Sequence, residues 1–243
     1  MFSRDYIFKN ETVSTSSDLK ETVRSAKKSV YAVICAEEQS GGRGRTGKSF
    51  FSPKGGLYFS ASFPLGENPK NAPFITLLAG LCVCRALQKL TPEKLYIKWP
   101  NDIYLNGKKL CGILTENVNG TAVVGIGINC DMRDEDIPDE LKNIVTSLAQ
   151  NAIAPPDKKV LMYEIVDSLD EELYEKNALS GETQEYVREI NSRFYLRDKP
   201  VKIVSGETVI SGKALCVSES GALILLTENG TKEIISGEVN LAV

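Results

Sequence analysis

The chain has 243 residues, 42% hydrophobic and 25% charged, the balance of a soluble globular protein with room for one large domain and a small appendage. A formal net charge of −3 argues against a general nucleic-acid surface, and the absence of histidine excludes imidazole bases, Ser-His-Asp triads and histidine-ligated metals. Six cysteines (Cys35, Cys82, Cys84, Cys111, Cys130, Cys216) stand apart with no C-x-x-C pair, mostly in apolar runs, and read as reduced and buried.

Met1 to Asn10 lacks the apolar core of a signal peptide, and the longest nonpolar run, Ala72 to Cys84, is too short for a bilayer. No membrane association is expected, and the expected location is the cytoplasm. Ser14 to Asp18 precedes Leu19, Val23 and Ala26 at helical spacing, with Glu21 three residues after Asp18, which predicts a capped helix start. Ser14 and Thr15 are then either cap hydroxyls or ligand contacts. Val30 to Cys35 predicts a buried strand that delivers the chain to Gln39.

Gln39 to Gly47, Gln-Ser-Gly-Gly-Arg-Gly-Arg-Thr-Gly, holds four glycines and two arginines in nine residues. Glycine lets main-chain N–H groups approach a ligand and arginine presents a planar fork to carboxylate or phosphate, so this is a candidate lid over an anion. Gly42, Gly47, Lys48 and Ser49 also satisfy the phosphate-loop pattern G-x-x-x-x-G-K-[ST], but Phe50 to Gly56 turns where that motif requires a helix. The phosphate-loop reading is set aside.

Leu57 to Phe63 predicts a second strand, and Pro73 introduces an interior helix through Phe74, Leu77, Leu78, Leu81 and Leu87. Leu95 to Lys98 is a short strand ending at Trp99-Pro100-Asn101-Asp102, where Asn101 and Asp102 could simply build a turn. Asn106-Gly107 and Asn119-Gly120 predict two tight hairpins in an antiparallel meander ending at Asn129. Gly125 and Gly127, two apart, strip one face of the last strand so that a flat ligand or another backbone can approach; a bulge would account for only one of them. Asp131 to Asn143 reads as a mobile polar loop. A helix capped by Asp157 follows, with Met162, Val166, Leu169 and Leu173 along one stripe, then a helical stretch near Thr183 to Phe194. From Arg197 short β-rich runs, 201–204, 208–216, 222–227 and 231–235, predict a small barrel docked on the main domain.

Gly-Arg-Gly-Arg-Thr-Gly at 42–47, Lys-Trp-Pro-Asn-Asp at 98–102, Lys-Leu-Cys-Gly-Ile-Leu at 109–114 and Gly-Ile-Gly-Ile-Asn at 125–129 resemble, in order and spacing, the signature set of the biotin protein ligases. The likeness runs from about Ser14 to the C-terminus. It implies an α+β fold, a mixed and largely antiparallel sheet backed by helices in the class II synthetase-like biotin/lipoate ligase manner, with a catalytic domain over 1–195 and an SH3-like β-barrel over 196–243. It further implies activation of biotin by ATP with Mg2+ to biotinyl-5′-adenylate, then transfer to one lysine of a biotin carboxyl carrier protein or domain of a carboxylase or decarboxylase, by a monomer or homodimer. By the same resemblance Ser14, Thr15, Gln39, Gly42, Arg45, Phe50, Lys109, Gly112, Ile113 and Leu114 would meet biotin. Arg43, Arg45, Lys48, Asn101, Asp102, Lys109, Gly127 and Asn129 would border ATP or the adenylate. Lys109, Arg43, Arg45 and Asp102 would carry the chemistry, Arg43 by gating the loop and Asp102 also by meeting the metal.

Three positions depart from the family pattern: Ser16 where asparagine is common, Lys48 where arginine is common, and Phe50 where tryptophan is usual. Lysine is a point charge and not a fork, so loop closure and affinity are where these departures act. With 13 residues before Ser14, the expected type is the short class without an N-terminal DNA-binding domain. Lipoate or octanoate ligases or transferases share the implied fold, but a longer apolar acid does not call for the Ser-Thr, Gln and Arg set. A noncatalytic biotin-binding module would have no use for Lys109 and the full loop.

Overall fold

The computed structural model describes residues 3–65, 74–180 and 183–242. Seven strands form the main sheet: β1 (Asp5–Thr12), β2 (Ala32–Gln39), β3 (Gly56–Pro64), β4 (Tyr96–Lys98), β5 (Asp102–Leu105), β6 (Lys108–Val118) and β7 (Thr121–Asn129), in the spatial order β1-β2-β3-β7-β6-β5-β4. Only β1 and β2 run parallel. The two Asn-Gly dipeptides make the tight turns of the meander, with positive φ at Asn106 and Gly107 (49° and 81°) and at Asn119 and Gly120 (50° and 74°). Turns of that hand match the twist of the paired strands, and glycine and asparagine reach it most readily.

Alternation along these strands divides the sheet into two unlike faces. Leu57, Phe59 and Phe63 of β3, Val124, Ile126 and Ile128 of β7 and Cys111 and Ile113 of β6 enter the main core. There they meet α2 (Ile75–Gln88) and α3 (Lys158–Asp170). Eleven of the fourteen residues of α2 are buried, as its all-round apolar sequence requires. Charges inside this layer are paired: Arg85 binds Glu172 and Glu189, and Arg4 binds Asp170. On the other face, α1 (Thr15–Ser25) is the one helix among the described residues, over a small separate cluster of Leu19, Val23, Ala32, Ile34, Val118 and Val123. That face is therefore open beyond α1.

Some local expectations shift. The cap of α1 is Ser14, whose Oγ accepts from Ser17 N at 3.4 Å, while Asp18 sits in the first turn and binds Lys9 and Thr12 of the neighbouring strand. Strand β1 carries no clear alternation in sequence and forms by pairing with β2. Asp157 caps α3 as expected, accepting from Lys159 N and Val160 N, and α4 (Gln184–Ser192) occupies the last predicted helix. In the segment after Asp131, Met132 and Ile137 are buried, and beyond it Lys109 N donates to Ile144 O and Thr146 N donates to Lys109 O. Pro73 lies outside the described residues.

Residues 200–241 build a second, five-stranded antiparallel sheet from β8 (Pro200–Ser205), β9 (Thr208–Val217), β10 (Leu223–Thr227), β11 (Gly230–Ile234) and β12 (Glu238–Leu241), in the order β11-β10-β9-β8-β12. β12 is a strand the sequence pattern did not announce. Side chains of the main layer clasp its backbone: Trp99 Nε1 donates to Gly221 O, Thr183 Oγ1 donates to Glu219 O, and Asn191 both donates to Val217 O and accepts from Val217 N. The four bonds are 2.8 to 2.9 Å long.

Because Asn191 satisfies both backbone groups of Val217, Asn191→Ala is expected to lower stability by about 1–3 kcal/mol, the cost of orphaning partly buried polar groups. A urea unfolding midpoint equal to that of the wild type would show that the clasp contributes nothing.

Candidate active site

The open face has a bare floor. Gly112 of β6 stands directly opposite Gly127 of β7, and Gly125 stands opposite Leu114 on one side and Ser60 on the other. The β3–β7 and β6–β7 ladders run through these glycines without a break, which excludes a bulge as their reason. The flat object lying on the floor is the ring of Phe50: a Cβ added at Gly127 would come within 2.5 Å of it, and one at Gly112 within 2.7 Å. Tyr58 meets this ring edge-on at 6.4 Å between centroids, and Lys109 Nζ lies 5.5 Å from its centre.

Beside the floor is a buried polar cup. Gln39 Oε1 accepts from Thr15 N at 2.9 Å and from Thr15 Oγ1 at 3.2 Å, and Gln39 Nε2 donates to Ser52 Oγ at 2.9 Å. Thr15 Oγ1 also lies 2.9 Å from Ser60 Oγ, and Ser52 Oγ donates to Phe50 O. Ser14, Thr15 and Ser16 are all buried against the cavity. Ser16 Oγ donates to Glu116, which holds Lys20 as well, so the hydroxyl that replaces the family's usual amide is anchored from behind.

The glycine-arginine segment closes on itself as a hairpin. Gly44 N donates to Lys48 O, Phe50 N donates to Gly42 O, and Thr46 and Gly47 turn the chain at positive φ. Gly42 tolerates no side chain, since a Cβ there would sit 2.4 Å from Phe50 O and 2.5 Å from Ser52 Oγ. A hairpin leading into β3 is incompatible with the phosphate-loop pattern, whose glycine must open a helix. At the tip, Lys48 forms an ion pair with Glu238 of β12. Burial pulls the Arg45 guanidinium below its ordinary value, while the carboxylates of Asp102 and Glu238 pull it back up. Arg43 is exposed and has no ion pair among the described residues.

Across the floor, Lys109 Nζ lies 2.7 Å from Asp102 Oδ1. That oxygen is buried, and the contact is an ion pair without an aligned hydrogen bond. Asn101 stitches its turn to β6, donating from Nδ2 to Ile113 O and accepting from Ile113 N at its own carbonyl, both at 2.9 Å. Asn129 is likewise buried and donates to Thr146 O. Both amides serve as pins for the walls and leave their side-chain oxygens available.

All the residues singled out in the sequence, from Ser14 and Thr15 to Gly127 and Asn129, surround one cavity of about 490 Å³ except Gly42, which holds the hairpin from beneath. Sequence reasoning missed Ser52, Ser60, Tyr58 and Glu238, which have no motif of their own. Ser60 is the exception that period 2 could have found, since it pairs with Gly125. Among the described residues five cationic side chains (Arg43, Arg45, Lys48, Lys98, Lys109) and two carboxylates (Asp102, Glu238) line the cavity, so it carries an excess of positive charge within a chain of net charge −3. No cluster of three or more Cys, Asp or Glu able to hold a metal ion occurs among the described residues. Asp102 is the cavity carboxylate that would meet a cation carried on substrate phosphates, the usual habit of Mg2+, on exchanging its contact with Lys109.

Residues 10–132 match the model of the biotin/lipoate A/B protein ligase family, and residues 198–241 match that of the biotin protein ligase C-terminal domain. The fold is similar to a biotin protein ligase from Aquifex aeolicus in complex with biotin and ATP, at 34% identity over 98% of both chains and a TM-score of 0.82. The bifunctional ligase/repressor BirA of Bacillus subtilis is 32% identical over 229 residues, which is 86% of this chain and 66% of that protein. The biotin--[acetyl-CoA-carboxylase] ligase of Mycobacterium tuberculosis is 28% identical, over 94% of this chain and 86% of its own length. The chain thus spans just under two thirds of the length of the BirA relatives it matches. It belongs to the biotin/lipoate A/B protein ligase family and carries the C-terminal domain of the biotin protein ligases.

Proposed function

We propose that the protein is a biotin protein ligase that joins biotin to ATP as biotinyl-5′-adenylate, releasing pyrophosphate, and then passes the biotinyl group to a lysine of a biotin carrier domain. The observation that carries this reading is the placement, around one bare glycine floor, of a donor-and-acceptor cup at one end and an excess of cations at the other. The cup of Thr15, Gln39 and Ser60 offers both hydroxyl and amide partners, which a cyclic urea can use and the hydrocarbon chain of octanoate or lipoate cannot. The lipoyl alternative is therefore the poorer fit.

In the first step a carboxylate oxygen of biotin attacks the α-phosphorus of ATP and the bond to pyrophosphate breaks. Two anions must approach one another, so the protein's contribution is charge and position, not proton transfer. Lys109, held against Asp102, and Arg45, within the field of the same carboxylate, are placed to offset that repulsion. Magnesium, when bound on the phosphates, would neutralise charge on the leaving group, with Asp102 as the protein contact. In the second step the acceptor amine attacks the acyl carbonyl and AMP departs. Arg43, exposed at the base of the hairpin and without an ion pair among the described residues, is the residue that engages the adenylate and keeps the lid shut. The division into a catalytic part over 1–195 and a C-terminal part over 196–243 is supported by the two separate sheets.

Biotin-dependent exchange of pyrophosphate into ATP, run beside octanoate and lipoate, tests the assignment. Exchange with biotin alone is expected, whereas exchange only with the fatty acids would transfer the protein to the lipoyl branch. Lys109→Ala is expected to slow adenylate formation by about 10²-fold or more; single-turnover kinetics equal to the wild type would remove its role. Arg43→Ala is expected to retain partial adenylation but to release adenylate into solution, and undiminished retention of adenylate would refute the gating role.

A further inference from the structure

The ligand-facing side of the main sheet does not end at the cavity. Tyr104 of β5 stands opposite Lys109 on one side and Tyr96 on the other, and Asp102 stands opposite Lys98, so the same face continues to the outermost strand, β4. Ile97 and Ile103 between them turn into the core. The chain then returns along β4 through Arg193 to Tyr195, covering the strand's edge and adding one more ring to this face.

The result is a continuous surface of alternating lysine and tyrosine. Tyr195 packs on Tyr104 at 4.6 Å between centroids and meets Tyr96 at 6.1 Å. Lys199 Nζ stands 3.5 Å from the centre of the Tyr195 ring, Lys94 Nζ stands 5.2 Å from that of Tyr96, and Lys98 Nζ donates to Tyr104 OH at 3.1 Å. Among the described residues none of these three lysines has an Asp or Glu at ion-pair distance; Asp102, the carboxylate nearest in the ladder, is engaged by Lys109. Burial pulls the Lys199 ammonium below its ordinary value, Tyr96 opposes that, and Lys98 adds to it. The surface thus holds mutually repelling cations against aromatic rings in a chain that is acidic overall. An incoming anion relieves that repulsion, and the rings hold the cations in place for it.

We propose that this lysine–tyrosine face, Lys94, Tyr96, Lys98, Tyr195 and Lys199, is the docking surface for an acidic patch on the protein that accepts the acyl group. The proposal rests on the transfer reading above. The face is continuous with the mouth of the cavity, since Lys98 and Tyr104 line both, and any acceptor lysine must enter by that mouth. It lies along a sheet edge and not in a concavity, which suits a protein surface better than a phosphate group. Tyrosine supplies contact area at small entropic cost, and unpaired lysines at the rim steer an acidic partner and fix its register. Three lysines without a basic stripe around them are too few for nucleic acid.

The test uses the full chain with Lys94→Glu and Lys199→Glu together, and Lys94→Glu alone at an exposed position as a guard against misfolding. Biotin-dependent pyrophosphate exchange needs no acceptor, whereas transfer to the isolated biotin-carrier domain of a bacterial acetyl-CoA carboxylase does. The double variant is expected to keep wild-type exchange while its KM for the carrier domain rises on the order of tenfold at low salt, with the single variant intermediate and Lys→Arg variants unchanged. Added salt is expected to raise the wild-type KM towards that of the variant. An unchanged KM overturns the proposal. So does a fall in exchange, which would assign the lysines to the nucleotide, and so does loss of duplex DNA binding with an unchanged carrier KM. Absence of exchange in the wild type would instead defeat the activity reading, and the docking proposal with it.

Discussion

The site depends on one constraint: two glycines, Gly112 and Gly127, must face each other across a sheet ladder. Side chains there would lift any planar group off the strands, and Phe50 shows how closely a ring settles once they are absent. The floor explains the choice of faces. Most apolar side chains of β3, β6 and β7 turn towards α2 and α3, and on the opposite face only the end under α1 has core duty, with Val118 and Val123, so the stretch beyond it can be left bare. Helix α1 covers one end of it, and its start supplies Ser14, Thr15 and Ser16, hydroxyls that begin the helix and line the cup in one act.

Charge is arranged against the overall balance of the molecule. An acidic chain concentrates cations at one cavity, and the two carboxylates placed among them hold Lys109, Arg45 and Lys48 apart and in position. Unpaired, such cations would repel one another and the loop would open; fully paired, they would have nothing left for an anionic substrate. The intermediate arrangement leaves positive potential in a partly enclosed space, where it acts more strongly than it would in water. Histidine is not needed for this chemistry, and its absence from the chain is consistent with a reaction governed by electrostatic placement.

Much of this was legible in the sequence where a local rule applied. The Asn-Gly turns, the Asp157 cap, the interior character of α2 and the bare strand at Gly125 and Gly127 each follow from the residues themselves. What escaped was set by distant partners. β1 exists because β2 offers an edge, and β12 because β8 does. Ser52 and Glu238 carry no signal at all in sequence; their places at the site are decided by loop closure and by the docking of the second sheet.

Glu238 shows why the second sheet is more than an appendage. It lies 190 positions from Lys48, yet it holds the tip of the hairpin whose base is fixed by Gly42, Gln39 and Ser52. The hairpin is thus held at both ends, by the first sheet at its root and by the second near its tip. An exposed ion pair of this kind adds little stability, so its consequence is geometric. The ion pair places Lys48 beside β12, and Phe50 is held locally by the bond from its N to Gly42 O. Trp99, Thr183 and Asn191 fix β9 and the turn that follows it against the main layer, which makes that position a property of the whole chain.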